Sequence, residues 1–424
     1  MRFIEEIRNA VARESADSVS DGWLFTDFAG RDSFTRSLLH LPPAAVATRR
    51  WIYLVLKNGS AVKIVHTIEP HVLDTLPADE VYTYASREEL LSVLRRFSGQ
   101  TFAAQCDANI PVISTIDGGF MQLLGQAGIA AVSAAPLIQR CRGLLSDAAV
   151  ASHERAAALL YKIVSETWRF ISERYAAKRE LTEGDVASFI LERFLAYALT
   201  TDHAPIVAFG VHTADPHYEV PASGGAAARE GDVIQLDLWA KERIADDGAG
   251  NRTADAAVYA DISWVGIYGT HVPAHIAQPF ETLCRARDSV KERLERAAAE
   301  NSTVTGSELD ALARSVLSGG GFAPYIKHRT GHGIDGRCHG SGVNLDSVEF
   351  PDTRRILPGS CFSVEPGLYF ADFGMRTELN IYITQEGFPV ISGMKYGART
   401  IEALPSFPQR ELLLAKDFPN ENHQ

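Results

Sequence analysis

No stretch of this 424-residue sequence approaches the roughly 18 uncharged apolar residues that a membrane-spanning helix requires. Residues 1–17 are typical of an amphipathic helix and lack the apolar core of a secretion signal, so we expect a cytoplasmic protein without a membrane partner. Basic runs are also missing. The 41 lysines and arginines face 53 aspartates and glutamates, and this net charge of −12 disfavours a nucleic-acid partner.

Cysteine is scarce and follows no paired spacing, which predicts reduced thiols rather than a disulfide framework. The five cysteines are Cys106, Cys141, Cys284, Cys338 and Cys361. Phosphate-binding loops are missing as well. The glycine-rich segment around His332 has neither the Gly-Lys-Ser/Thr ending of a phosphate loop nor the spacing of a dinucleotide-binding turn.

The length exceeds that of one typical hydrophobic core, so we expect two domains. Alternating strand and helix patterns predict an α/β domain over residues 1–140, with strands at GWLFTDF, WIYLVLK, AVKIVHTI and TFAAQCD. Residues 145–408 combine acid-bearing strands with long amphipathic helices, which favours an α+β domain with helices outside an antiparallel sheet. Residues 409–424 are expected to form a polar tail.

Helical periodicity is clear in the second domain. A long amphipathic helix is predicted at SHERAAALLYKIVSETWRFISERYAAK, and Thr182 with Asp185 predicts a capping box before VASFILERFLAYALT. Two further helices are predicted at PFETLCRARDSVKERLERAAAE and SELDALARSVLSGG.

Five residues of metal-ligand type follow one another in this domain: Asp237, Asp261, His332, Glu365 and Glu378. Each carboxylate lies in a strand-like segment in which apolar residues alternate with polar ones. Because side chains alternate between the faces of a strand, the acids can point into one cavity while the apolar rows pack on a core. The sequence therefore predicts a cup of four carboxylates and one imidazole.

Four carboxylates placed together repel one another unless cations neutralise them. Two divalent ions balance the four negative charges, and the imidazole stays neutral. Hard oxygen ligands with one imidazole favour two divalent ions of manganese, cobalt, iron or zinc, and the ligand set does not choose among these metals. Manganese is the expected ion, with cobalt, zinc or iron as alternatives. Two such ions can activate water for hydrolysis.

The order of these residues, together with HRTGHGI, PGSCFSVEPGLY and FGMRTELN, resembles the pita-bread metallopeptidases of the aminopeptidase P and prolidase type. The resemblance covers about residues 145–405, and residues 1–140 more weakly resemble the creatinase/prolidase N-terminal domain. It implies cleavage of the Xaa-Pro bond at the N-terminus of peptides through a hydroxide that bridges the metals. It also implies a homodimer.

Carried over residue by residue, the resemblance implies that Asp237 binds one metal and that Asp261 and Glu378 bridge both. His332 and Glu365 would hold the other metal, and Glu365 would also be the general base. Four more residues receive roles. His339 and His328 would contact the substrate and stabilise the oxyanion, His217 would line the substrate pocket, and Arg376 would orient the carboxylates.

Three features depart from the family pattern. Gly340 and Leu379 stand where the family commonly has acids, and Asp237 and Asp261 lie 24 positions apart, farther than is usual. The extra residues, 241–257, predict an extended hairpin loop. Its Asp246, Asp247 and Asp255 are expected to be solvated loop acids rather than ligands.

Other interpretations stay open. The departures are compatible with a relative that acts on a non-peptide small molecule, as an amidohydrolase or a lyase. A non-catalytic binding protein is a further alternative, although retention of all five ligands argues against it. A nucleophilic pair of Cys338 and His339 is a formal competitor. Adjacent residues point apart, however, and such a pair would leave the carboxylates unexplained.

Overall fold

The computed structural model describes residues 2–14, 20–42, 47–243, 257–393 and 413–416. The chain divides into two compact units, Met1–Arg142 and Gly143–Gln424. Among the described helices, none is both long enough and apolar enough to cross a bilayer.

The first unit contains six strands, five α-helices and a short 3-10 helix at Pro111–Ile113 among its described residues. The strands are β1 (Gly22–Asp27), β2 (Trp51–Leu56), β3 (Ala61–His66), β4 (Glu80–Tyr84), β5 (Thr101–Ala104) and β6 (Ala130–Ser133). The helices are α1 (Arg2–Glu14), α2 (Ser33–Leu38), α3 (Arg87–Arg95), α4 (Gly118–Gln126) and α5 (Ala135–Arg142).

One mixed sheet in the order β4-β3-β2-β1-β5-β6 organises this unit. Its central strands are buried on both faces: Trp23 and Phe25 pack into one apolar cluster, and Leu24 between them packs into another on the opposite face. This arrangement confirms the four predicted strands and the α/β interpretation. The sequence analysis does not predict β4 and β6, because these edge strands are short and partly exposed and carry a weak apolar pattern.

The second unit carries the predicted ligands. Its helices are α6 (Asp147–Ala176), α7 (Glu183–Ala196), α8 (Ala274–Glu300) and α9 (Gly306–Gly319), with 3-10 helices at Gly210–Ala214 and Ala323–Tyr325. Its strands are β7 (Leu199–Thr200), β8 (Ile206–Phe209), β9 (Val233–Glu242), β10 (Ala260–Ile267), β11 (Cys361–Val364), β12 (Gly367–Tyr369), β13 (Gly374–Arg376), β14 (Leu379–Ile383), β15 (Pro389–Ile391) and β16 (Leu413–Leu414).

Three sheets hold these strands. One has the order β16-β10-β9-β7 with β8 also paired to β9, the second is β11-β14-β15, and the third is the β12-β13 hairpin. Helices α6 and α7 cover the apolar face of β9 and β10, and α8 and α9 cover that of β11 and β14. The predicted α+β arrangement, with helices outside acid-bearing strands, is therefore confirmed.

The helix boundaries follow local chemistry. Thr182 and Asp185 form the predicted capping box of α7, and an equivalent box of Thr305 and Glu308 begins α9. Helix α8 begins at Ala274, earlier than the predicted start at Pro279. Pro279 lies inside the helix, where its ring removes one backbone donor without ending the helix.

Parts of the sequence prediction fall on residues that the structure does not describe. The predicted hairpin loop lies mostly there, since residues 244–256 are outside the described ranges. Residues 413–416 of the predicted polar tail are described, and they differ from that expectation. Leu413 pairs with Gly266 of β10, and Leu413 and Ala415 are buried against the α6 core, because this short piece of the tail is apolar.

A buried histidine links α6 to the strands of the site. His153 Nδ1 lies 2.6 Å from the Tyr259 carbonyl oxygen, and Nε2 lies 2.7 Å from Ser392 Oγ. A carbonyl oxygen only accepts, so the neutral ring carries its proton on Nδ1. Burial lowers the pKa of His153 to about 4 from its usual 6.5.

This histidine predicts an acid-sensitive fold. Below pH 6.5 the unfolded chain protonates the imidazole and the folded chain does not, so stability falls from pH 6.5 towards pH 4. At pH 5 the loss is about 2 kcal/mol. Urea unfolding at pH 7 and pH 5 should show a smaller loss in His153→Gln than in the wild type. Equal losses in the two proteins would mean that His153 is not the responsible group.

Candidate metal centre

The first two carboxylates lie on paired antiparallel strands. Asp237 of β9 stands opposite Ser263 of β10, and Asp261 of β10 stands opposite Trp239, so both acids project from one face of the sheet. The backbone of Asp261 is fixed by Asn380, whose side chain accepts from the Asp261 amide at 2.8 Å and donates to its carbonyl at 2.6 Å. The sheet thus places both carboxylates rigidly.

Glu365 and Glu378 lie one residue beyond the ends of another strand pair, β11 and β14, whose terminal residues Val364 and Leu379 face each other. The sequence analysis places these acids inside strands, whereas Pro366 follows Glu365 directly and cannot donate to a ladder. Ser363 Oγ donates to Glu365 Oε1 at 2.9 Å, which helps to orient that carboxylate.

His332 sits in a loop that depends on its glycine neighbours. A Cβ at Gly331 would lie 2.0 Å from the Ser363 carbonyl oxygen, so only glycine permits this close approach. The Nδ1 of His332 lies 3.3 Å from the Gly333 carbonyl oxygen, and this contact assigns the ring proton to Nδ1. In the neutral ring this leaves a lone pair on Nε2, which lies 3.3 Å from Glu365 Oε1 and 3.5 Å from Asp261 Oδ2.

These side chains converge. Ligand atoms of Asp237, Asp261 and Glu378 lie within 4.8 Å of one another, and so do those of His332, Glu365 and Glu378. Asp237 Oδ1 and Asp261 Oδ1 are buried and have no hydrogen-bond partner among the described residues. Buried carboxylate oxygens without partners are costly, and divalent cations would satisfy them. The residues present therefore fit a pair of such cations.

The pKa values reflect this crowding. Burial, reinforced by the Asp261 charge, raises the pKa of Asp237 to about 6 although Arg376 opposes the shift. Burial and the same charge raise the pKa of Glu378 well above its usual range. Glu365 behaves differently: burial favours its neutral form, but the electrostatic interactions with His332, His328 and Arg376 prevail and lower its pKa. Glu365 is the carboxylate that is held ionised.

Arg376 connects the carboxylates to the surrounding strands. Its Nη2 donates to Asp237 Oδ2, and its Nε donates to Ser263 Oγ at 3.1 Å. Ser263 Oγ in turn donates to Glu378 Oε2 at 2.8 Å. Gln235 accepts from the Arg376 amide at 2.8 Å and holds this strand in place. The guanidinium is thus connected to both Asp237 and Glu378, one directly and one through Ser263.

The three further histidines differ in their surroundings. The ring of His339 packs edge-on against His332 with centroids 4.2 Å apart, and the His332 charge together with burial lowers the pKa of His339 to about 4. His217 is exposed and follows Pro216, whose carbonyl accepts from Arg376 at 3.2 Å. It therefore lies at the rim of the site.

Both ring nitrogens of His328 have partners within the protein. Nδ1 lies 2.7 Å from the Arg329 carbonyl oxygen, and Nε2 lies 2.8 Å from the hydroxyl of Tyr369. Burial lowers the pKa of His328 to about 4, so the neutral ring donates through Nδ1 and accepts the Tyr369 proton. The Tyr369 oxygen also accepts from Arg376 Nη1 at 2.9 Å. A chain of hydrogen bonds thus runs from Arg376 to His328.

Cys338 also reaches this centre. Its Sγ lies 3.0 Å from Asp261 Oδ2, and its ligand atom groups with those of Asp261 and His332. Burial and the Asp261 carboxylate raise the pKa of the thiol well above its usual range. A nucleophilic thiolate activated by His339 is therefore disfavoured in the cation-free protein.

The departures from the family pattern have structural reasons. A Cβ at Gly340 would lie 2.7 Å from the carboxyl carbon of Asp335, so this carboxylate already fills the space that a longer side chain would need. Leu379 points away from the carboxylates and packs in the apolar cluster under α8 and α9. Neither residue disturbs the ligands.

Several partners of the ligands are not assigned roles by the sequence analysis: Ser263, Gln235, Asn380, Tyr369 and Cys338. The first three share a strand face with a predicted ligand, two residues away, so the same period-two pattern could have identified them. Tyr369 lies four residues after Glu365 in a different strand, and only its contacts reveal its position.

The fold and this acid-lined site are typical of a metallopeptidase. The chain belongs to metallopeptidase family M24, whose sequence profile matches residues 151–385, more than half of its length. The resemblance to the pita-bread metallopeptidases is thereby confirmed.

Named relatives are similar to this chain. The probable dipeptidase PepE of Mycobacterium tuberculosis is 28% identical over 269 residues, which span 63% of each protein. The Xaa-Pro dipeptidase of Lactobacillus delbrueckii subsp. lactis is 37% identical over 86 residues, or 20% of this chain and 22% of that protein. The crystal structure of dipeptidase PepE from Mycobacterium ulcerans superposes with a TM-score of 0.67 at 19% identity, covering 97% of this chain and 98% of that one.

Proposed function

We propose that this protein hydrolyses the Xaa-Pro bond at the N-terminus of peptides with two divalent cations. The observation that carries the proposal is the convergence of ligand atoms from all five predicted residues, including two buried carboxylate oxygens that have no partner in the part of the chain that the structure describes. The family supports a peptidase, and a relative named Xaa-Pro dipeptidase supports the bond.

Each ligand has an assigned place in this proposal. Asp237 would hold one cation, His332 and Glu365 would hold the other, and Asp261 and Glu378 would contribute to both. When bound, the cations supply a water activated at neutral pH and polarise the carbonyl of the residue before proline. Manganese, cobalt, zinc and iron all suit ligands of this kind.

Glu365 is the proposed proton carrier. Its lowered pKa keeps it ionised, so it can accept a proton from the attacking water and return it to the leaving amine. The hydroxyl of Ser363 fixes the carboxylate by donating to Oε1 and leaves Oε2 for the proton.

His339 is the proposed donor to the substrate oxygen as negative charge develops there. Its pKa of about 4 keeps the ring neutral near pH 7, with one N–H available. His339→Ala should lower kcat by about 10²–10³ with metal content unchanged, the usual cost of removing one such donor. Steady-state kinetics with elemental analysis tests this. A loss of metal in the variant would instead assign His339 to the metal centre.

His328 and His217 are proposed to shape the substrate pocket. Because both nitrogens of His328 are engaged, this ring positions Tyr369 and, through it, Arg376, instead of donating directly. His217 lies at the exposed rim, where it can contact the substrate as it enters. The homodimer and the cytoplasmic location stay predictions of the sequence analysis.

A substrate panel tests the proposed bond. The metal-free protein, reloaded separately with manganese, cobalt, iron or zinc, is offered Xaa-Pro dipeptides, longer Xaa-Pro peptides, matched Xaa-Ala peptides and small-molecule amides. We expect turnover of Xaa-Pro peptides and much slower cleavage of Xaa-Ala. Hydrolysis of the small-molecule amides alone would replace the proposal with the amidohydrolase alternative.

A further inference from the structure

Cys338 is a buried side chain of ligand type that the five predicted ligands leave out. The residue is 5% exposed, and its Sγ lies 3.0 Å from Asp261 Oδ2. Its neighbour His339 packs against His332, so the thiol and the imidazole make separate contacts. The thiol therefore faces the carboxylates.

The spacing of three donor atoms suits one shared cation. Cys338 Sγ, Asp261 Oδ2 and His332 Nε2 surround a common region, with 3.0 Å from sulfur to oxygen and 3.5 Å from nitrogen to oxygen. Bond lengths of about 2.3 Å to sulfur and 2.0 Å to nitrogen or oxygen place tetrahedral ligand atoms roughly 3.3–3.6 Å apart. Small side-chain shifts would bring all three atoms onto one ion.

A second observation points to a ligand at the same place. Asp261 is 6% exposed, and its Oδ1 has no hydrogen-bond partner among the described residues. The thiol satisfies only Oδ2. A hydrogen bond from Cys338 thus leaves the buried carboxylate half satisfied, whereas a cation would satisfy both of its oxygens.

Building on the proposed function, we propose that Cys338 Sγ is a ligand of the cation held by Asp261 and His332. As the sulfur–metal bond forms, the thiol proton is released to solvent. This position then has a mixed nitrogen, oxygen and sulfur ligand set, whereas the position at Asp237, Asp261 and Glu378 is built from oxygen alone.

The ligands of the two cation positions therefore differ in softness. A thiolate ligand favours zinc, cobalt or iron over manganese, while carboxylates accept manganese readily. The five predicted ligands include no thiolate and do not by themselves distinguish manganese, cobalt, iron and zinc. With Cys338 included, the position at His332 prefers zinc over manganese.

Cobalt(II) is the probe, since a cobalt–thiolate bond gives a charge-transfer absorption in the near ultraviolet that oxygen and nitrogen ligands do not give. The purified protein is stripped with a chelator and reloaded with cobalt. We expect this band in the wild type and its loss in Cys338→Ser, whose hydroxyl can still donate to Asp261. Cys284→Ala, which removes a buried thiol from the α8 core, should retain the band.

Metal competition gives a second readout. Both proteins are loaded from an equimolar mixture of zinc and manganese, and elemental analysis gives the ratio of bound zinc to bound manganese. This ratio should be about tenfold or more higher in the wild type than in Cys338→Ser. If Cys338→Ser fails to fold, X-ray absorption of the zinc-loaded wild type decides, because a sulfur ligand appears as a scatterer at about 2.3 Å.

The outcomes separate this inference from the proposed function. Cobalt binding and Xaa-Pro hydrolysis without a charge-transfer band would overturn the role of Cys338 and keep the peptidase. A band that survives in Cys338→Ser would also overturn it. Failure of the wild type to bind cobalt and to cleave any Xaa-Pro peptide would overturn both.

Discussion

Replacement of Asp261 by alanine is expected to abolish hydrolysis of Xaa-Pro peptides and to remove at least half of the bound metal. Asp261 belongs to two of the three ligand groups found among the described residues, and Asn380 fixes its backbone, so alanine at this position removes a ligand from both groups. Elemental analysis and steady-state kinetics on the same preparation measure both effects.

Stability provides an independent readout for this variant. Cations that bind only the folded wild type stabilise it, by about 2.7 kcal/mol when their concentration is 100 times Kd. The Asp261 charge raises the pKa of Glu378, so its removal relieves repulsion in the metal-free protein. We therefore expect Asp261→Ala to fold well without metal and to lose the metal-dependent rise in Tm.

Asp372→Ala is the matched control, because Asp372 is exposed in the loop between β12 and β13 of the same unit. It should keep the activity, the metal content and the rise in Tm. Full activity in Asp261→Ala would refute the assignment of the centre.

Most of what the sequence predicts about this site follows from the alternation of apolar and polar residues along its strands. On β9 the row of Ile234, Leu236 and Leu238 packs on the α6 core, and this burial forces Asp237 to the opposite face. The prediction succeeds because a one-residue slip would bury the carboxylate in the apolar core. The same reasoning locates Glu365 and Glu378, although they lie just beyond their strands.

Such patterns do not predict contacts between segments that are distant in the sequence. Tyr369 meets His328 across 41 positions of the chain, and Cys338 meets Asp261 across 77. Neighbouring side chains point apart along a strand, but Cys338 and His339 lie in a loop, where Cys338 contacts Asp261 and His339 contacts His332. Periodicity carries no information about these loop geometries.

Replacement of Glu365 by glutamine is expected to lower kcat by about 10²–10⁴, the usual contribution of a general base. Glutamine keeps the size of the side chain and can still accept the Ser363 hydrogen bond, but it cannot take up a proton. Rate measurements across pH give the sharpest test. Since the pKa of Glu365 is lowered, the wild type should lose activity in acid as this carboxylate takes up a proton, and this acid limb should change in the variant.

Metal content separates the two roles proposed for Glu365. If it serves mainly as the base, the variant retains at least one cation per chain and binds substrate with little change in KM. Loss of both cations would make it chiefly a ligand and would contradict the assignment of the base. Glu386→Gln, an exposed change in the turn after β14, should match the wild type in every measurement. Unchanged kcat in Glu365→Gln would require another proton acceptor, whereas burial raises the pKa of both Asp237 and Glu378.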